Sequence, residues 1–107
     1  MTVSRALLHF TTDIDPAMEC EFHRWYEDEH IPERMAVPGF QRALRFRAIS
    51  GGPKFLALYD IESPDVLRSD AYLRLIGPDK SAWTRRLESM FINARRSVYV
   101  LISERIR

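Results

Sequence analysis

Twice along these 107 residues an apolar run gives way to a polar residue followed by proline, at Asp15-Pro16 and again at Ser63-Pro64. An Asp or Ser at such a point can accept hydrogen bonds from the free N–H groups of a helix's first turn, and a proline there gives up a donor that has no partner anyway. Each pair predicts a switch from strand to helix. Before the first switch, Ala6-Leu7-Leu8-His9-Phe10-Thr11 reads as a short strand. After it, Met18, Phe22, Trp25 and Tyr26 recur at the helical period, so one apolar stripe is expected to run to about His30. Pro32 disfavours the α conformation at Ile31 and predicts a break or kink, then a further turn through Glu33-Arg34-Met35-Ala36 before Pro38-Gly39.

Residues Phe40 to Ser50 alternate at the strand period, Gly51-Gly52-Pro53 turns the chain, and Phe55 to Ile61 returns, which predicts an antiparallel hairpin. Beyond Ser63-Pro64, Val66, Leu67, Ala71 and Leu75 give a second helix its apolar side until Gly77-Pro78. A further helical stretch from about Ser81 to Phe91 turns Trp83, Leu87, Met90 and Phe91 inward, and Val98 to Ile102 closes the chain as a strand. The order strand, helix, strand, strand, helix, strand predicts an α+β, ferredoxin-like βαββαβ sandwich with a four-stranded antiparallel sheet and helices on one face. No repeat or linker-like stretch divides it, so residues 1–107 read as a single domain.

Such a sheet should be polar on its uncovered face, yet the last strand carries Val98, Val100 and Ile102 on one side with Tyr99 and Leu101 on the other. Phe55, Ala57, Tyr59 and Ile61 against Leu56 and Leu58 repeat the pattern. A surface apolar on both sides predicts a homodimer through the sheet faces. With net charge +1 and basic residues interspersed among acidic ones, neither nucleic acid nor membrane is an expected partner. No stretch approaches the roughly 18 apolar residues of a bilayer span and no secretory leader is evident, so the chain reads as cytoplasmic. Cys20 stands alone, which excludes an intrachain disulfide and a multi-thiolate zinc site, and it is expected to be a small buried hydrophobe. Gly51-Gly52 lies between paired strands rather than opening a helix, so no nucleotide cofactor is expected.

The densest run of proton-transfer and aromatic side chains is His23-Arg24-Trp25-Tyr26-Glu27-Asp28-Glu29-His30-Ile31-Pro32-Glu33. In a regular helix His23, Tyr26, Glu27 and His30 would share a face. Phe22 to Pro32 resembles the aromatic helix ending in a His-x-Pro step of the dimeric α/β-barrel superfamily, in its EthD-like branch, and Val37-Pro38-Gly39-Phe40 is similar to that group's turn into the second strand. The resemblance covers the whole chain through its element order. It implies a homodimer whose sheets form a barrel, with small-molecule pockets between sheet and helices, and it points to His30 as a pocket-lining histidine. The superfamily includes cyclases, isomerases, dehydratases, cofactorless oxygenases and haem-binding proteins, so the fold does not fix the reaction.

Histidine is the side chain whose ordinary pKa, about 6.5, suits acid–base work near neutrality. His30 is therefore the expected acid–base residue, with Tyr26 or Glu33 to set its tautomer. Arg45, Arg47 or Tyr59 could bind a carboxylate or enolate, and His23, Trp25 and Trp83 are candidates for the pocket wall. The plainer reading has His30 capping a helix C-terminus and both tryptophans in core packing. His9 is expected to be a hydrogen-bonded core or interface histidine. His23, Glu27 and His30 could meet one metal only in a helix regular up to Pro32, and no metal or other cofactor is assigned. Glu27-Asp28-Glu29, Arg85-Arg86 and Arg95-Arg96 read as solvated surface. The expected function is cofactor-independent acid–base chemistry of the cyclase, isomerase or dehydratase kind on a carbonyl-bearing, partly apolar small molecule. The alternatives are a noncatalytic small-molecule or haem-binding module and a dimerising accessory protein.

Overall fold

The computed structural model describes residues 5–107. The expectation of no secretory leader rests in part on residues 1–4, which lie outside the described residues. Strand β1 (Ala6–Asp13) lies inside an antiparallel sheet of order β2-β3-β1-β4, with β2 at Phe40–Arg47, β3 at Phe55–Ile61 and β4 at Ile92–Val100. The β2-β3 hairpin is paired as expected, and β1 bridges the two halves, placing Leu8 opposite Tyr59 on one side and Val98 on the other. This is the ferredoxin-like α+β arrangement. Gly39 takes a φ of +99°, and a Cβ there would collide with Val66 Cγ2, so the Pro38-Gly39 turn into β2 needs glycine for both conformation and space.

The first helical stretch departs from the expected break. Asp15 caps as foreseen, accepting from the Ala17 N–H at 2.9 Å, and a 3₁₀ turn at Pro16–Met18 leads into α1 (Glu19–Trp25). Residues Tyr26–His30 then widen into a π-helical turn, and α2 (Ile31–Met35) follows without interruption, with Ile31 held in the α conformation at ψ −48°. The Ile31 N–H pairs with the Tyr26 carbonyl, five residues back. A proline that cannot donate is accommodated where the hydrogen-bond ladder changes register, so the chain widens at this point instead of breaking. The second helix also differs. Ser63 caps only a 3₁₀ turn at Pro64–Arg68, and Ser69, accepting from Tyr72 N–H, starts α3 (Asp70–Ile76) afresh. α4 (Ala82–Glu88) opens on Ser81 in the same way.

β4 begins at Ile92, well before the expected Val98, and ends at Val100. Its first half is polar and exposed, so the ladder to β1, rather than burial, makes it a strand. Phe22, Trp25, Ile61 and Leu87 are fully buried between the helices and the sheet. Each such side chain contributes roughly 1.5–3 kcal/mol relative to exposure. Cys20 is exposed, on the side of α1 away from Phe22, which corrects the expectation of a buried hydrophobe.

On the face away from the helices, Leu7, Leu44, Leu56 and Leu58 are only half-buried, and Phe46 and Tyr99 are exposed. A hollow of about 390 Å³ runs over this face between Leu7, Leu44, Leu58 and Tyr99. Its ions Arg42 and Asp60 pair at 2.7 Å. Among the described residues no helix is long and apolar enough to cross a membrane.

Candidate functional site

Five residues nearly complete a turn of π-helix, so Trp25 and His30 come to lie one over the other, with ring centroids 4.4 Å apart. Tyr26 presents its edge to the same imidazole at 5.0 Å, and Tyr59 of β3 approaches from the sheet at 6.4 Å. These four rings wall a chamber of about 130 Å³ whose apolar lining includes Leu8, Phe10 and Phe91. The regular helix would have grouped His30 with His23 and Glu27. The widened turn keeps Tyr26 beside it and brings in Trp25 in their place.

Two polar atoms of this chamber lack partners. Nδ1 of His30 and the hydroxyl of Tyr59 are buried and bond to nothing among the described residues. Orphaned buried polar atoms are uncommon and costly, on the order of 1–3 kcal/mol each, and so mark places where something else is accommodated. Burial first, then the charges of Arg34 and Arg45, hold the His30 imidazole well below its ordinary pKa, so it is neutral at pH 7. Burial raises Tyr26 and Tyr59 above the ordinary phenol value, which keeps both hydroxyls protonated.

Trp25 is fixed from behind. Its indole Nε1 donates to Thr84 Oγ1 at 3.1 Å, and Thr84 Oγ1 and Ser81 Oγ donate to Glu29 at 2.9 and 2.6 Å. Glu29 therefore ties α4 to the first helical stretch, a correction to its reading as solvated surface. Glu27 stays largely exposed, as read, while pairing with Arg45.

That pair belongs to a second cluster, separate from the chamber. Arg45 of β2 donates from Nη1 to Glu27 at 3.0 Å and from Nη2 to Nδ1 of His23 at 2.8 Å, which makes Nδ1 the acceptor and assigns the proton to Nε2. Its guanidinium lies 4.4 Å from the centroid of Tyr26 and 5.5 Å from that of Phe22. His23 is lowered mainly by burial, then by Arg45, with Glu19 and Glu27 opposing. His23 and Arg45 line a shallow surface hollow with Arg47. Tyr26 stands between the clusters, one face to Arg45 and its edge to His30.

Of the expected site residues, the chamber gathers His30, Tyr26, Trp25 and Tyr59. Glu33 is not on its lining; it is 39% exposed, its carboxyl raised by burial and then by Glu29. Trp83 donates to Glu21 at 3.2 Å and packs α4 on α1. His9 lies on the outer sheet face, edge-on to Tyr99 at 5.6 Å, with its Nδ1 buried and unpartnered, so the expected hydrogen bond is not made within the described residues. Glu27 is committed to Arg45, and His23 and His30 open into different cavities. No group of three His, Cys, Asp or Glu among the described residues could hold a metal ion.

The chamber also recruits residues outside the expected set: Arg34, Tyr72, Glu88 and Arg96. Arg34 follows His30 by four positions, a helical spacing that could have revealed it. Arg96 alternates with Val98 and Val100, so the strand period could have placed it on the helix side. It stays exposed, as read, while donating to the Tyr72 hydroxyl at 3.1 Å.

No curated protein sequence matches the chain. Solved structures do. A dimeric ferredoxin-like protein from an uncultured marine organism is 14% identical with a TM-score of 0.70, covering 98% of this chain and 93% of its own. SnoaB, a cofactor-independent oxygenase from Streptomyces nogalater, is 18% identical with a TM-score of 0.65, covering 94% of each chain. An ethyl tert-butyl ether (EthD) family protein from Bacillus halodurans is 13% identical with a TM-score of 0.57, covering 97% of this chain and all of its own. At these identities the likeness shows a shared fold, and it bears out the ferredoxin-like architecture read from the sequence. A family model matches residues 5–93, and the chain belongs to that family, described as Domain of unknown function (DUF4286).

Proposed function

We propose that this chain is a small-molecule enzyme of the dimeric α/β-barrel type, working without a cofactor by acid–base chemistry on a carbonyl-bearing, partly apolar substrate. The observation that carries the reading is the His30 chamber, where a neutral imidazole and a protonated phenol are both buried and unpartnered. Its volume of about 130 Å³ is near the roughly 150 Å³ of a dry cavity that takes benzene.

In this reading His30 accepts a proton from the carbon next to the carbonyl. The electrons of the broken C–H bond form a C=C bond, and the carbonyl electrons move onto oxygen. The Tyr59 hydroxyl donates a hydrogen bond to that oxygen as it becomes an enolate, with the charge of Arg34 nearby. Return of the proton to a different carbon completes an isomerisation, and loss of a β-hydroxide that takes the proton as water completes a dehydration. Tyr26 holds the imidazole in place. A haem does not fit: the chamber falls well below the roughly 300–1,000 Å³ of sites for drug-sized ligands.

The half-buried leucines and exposed aromatics of the outer sheet face support a homodimer, as does the dimeric ferredoxin-like neighbour. Sedimentation at micromolar concentration should report two chains per particle, and a particle of one chain contradicts it. The chemistry is tested with phenylacetone in D₂O, following loss of the methylene proton signal by NMR. The protein should accelerate exchange, and His30→Gln should slow it by about 100-fold, the usual lower range for a general base. Exchange no faster than in buffer, or equal exchange by the variant, overturns the assignment.

A further inference from the structure

Arg34 is the one charged residue in the buried core among the described residues, with its side chain 7% exposed. Its ionic neighbour there is Glu33, with Nη1 and Oε1 3.9 Å apart, beyond hydrogen-bonding distance. Its guanidinium carbon lies 5.9 Å from the centroid of the Tyr72 ring, a contact that leaves the N–H donors unused. A largely buried guanidinium whose one carboxylate neighbour is loose and half outside leaves most of its charge to be met from the chamber it lines.

The rest of the lining does not compensate. Arg96 adds a second cation from β4. The carboxylate on the wall, Glu88, is engaged by Lys80 Nζ at 2.7 Å. Around this charge the chamber is apolar and aromatic. Arg34 lines the same chamber as Tyr26, His30 and Tyr59.

We propose that the substrate taken by this chamber is an anion: a small, flat, mostly apolar carboxylate that seats its carboxylate on the guanidinium of Arg34. The proposal rests on the chamber being the substrate site. Arginine suits this role because its planar fork matches two carboxylate oxygens at once. Arg96 adds attraction across the chamber, and Leu8, Phe10 and Phe91 receive the apolar body. Burial is the main cause of the lowered His30 value, and a carboxylate on Arg34 would offset one of the two cationic charges that add to it.

The test is calorimetric binding of benzoate and of benzyl alcohol, a neutral molecule of the same size, to the full chain and to Arg34→Met and Arg34→Lys. The wild type should bind benzoate at least tenfold more tightly than benzyl alcohol. Arg34→Met should abolish that preference while leaving benzyl alcohol within about twofold, and Arg34→Lys should restore part of it. Benzoate should shift the imidazole NMR signals of His30 and leave those of His23 in place. If benzyl alcohol binds and shifts His30 but benzoate is no tighter, the anion proposal falls and the chamber remains a site. If neither probe binds, the anion proposal falls, and the phenylacetone exchange separately decides the acid–base reading. Should Arg34→Met not fold, the benzoate preference of the wild type still decides.

Discussion

His23 and His30 sit seven residues apart on one helical stretch and end in opposite situations. His23 accepts from Arg45, which also binds Glu27 and lies over the Tyr26 ring, so every strong polar group of that cluster has a partner inside the protein. His30 lies tilted against Trp25 with Nδ1 unpartnered, near an unpaired Tyr59 hydroxyl and an arginine whose carboxylate neighbour is 3.9 Å away. A closed network holds a fold together, whereas an open one in a cavity leaves bonds for a ligand to make. Both contain a histidine, an arginine and aromatic rings, so residue type alone does not separate them. Satisfaction of the polar atoms does.

The largest effect expected from this contrast comes from cutting the closed cluster. Arg45→Met removes two charge-assisted hydrogen bonds and the cation over Tyr26, and with Glu27 largely exposed the net loss should be about 2 kcal/mol. Denaturant unfolding measures it. The matching change in the open cluster, Tyr59→Phe, removes a hydroxyl that has no partner, so stability should hold or rise. A loss as large as that of Arg45→Met would show that the Tyr59 hydroxyl is bonded after all.

A smaller effect comes from pH. The imidazole of His30 has a pKa in the folded protein well below the ordinary 6.5 of the unfolded chain. On acidification the unfolded state takes up a proton that the folded state refuses, so stability is full above about pH 6.5 and lost as the pH falls toward the folded pKa. Stability should therefore fall steadily as the pH is lowered from 7.5 to 5.5. His23 is lowered too, so its share must be separated by mutation. His30→Phe should flatten the His30 share of the pH dependence, and an unchanged slope in unfolding titrations would remove His30 from the account.

Much of the fold was legible because it depends on local signals. The two cap-proline pairs, the Pro-Gly turn and the hairpin alternation each report on their own neighbourhood, and the sheet order follows from them. Three features escaped for physical reasons. The widened turn at Tyr26–His30 has no sequence signature beyond Pro32, which equally suggests a break. Ser69 hides as an ordinary polar residue inside what reads as one helix. The first half of β4 is polar and exposed, held by pairing that periodicity does not register.

The site was half legible for a related reason. His30, Tyr26, Trp25 and Tyr59 were found as ring-bearing residues on apolar faces, and all four line the chamber. Arg45 and Glu33 were expected beside them, but Arg45 is drawn to Glu27 and His23 and Glu33 lies off the chamber lining. Arg34 was passed over as one charge in a charged segment, although only its burial distinguishes it from Arg24.

NMR titration of the histidine rings tests the central claim most directly. The account predicts that His30 stays neutral well below pH 6.5 in the wild type and that its pKa rises in Arg34→Met, because a neighbouring cation has been removed. A His30 that titrates at 6.5 or above, unmoved by Arg34→Met, would mean that the ring is solvated and the chamber is not the dry, open-bonded site described here.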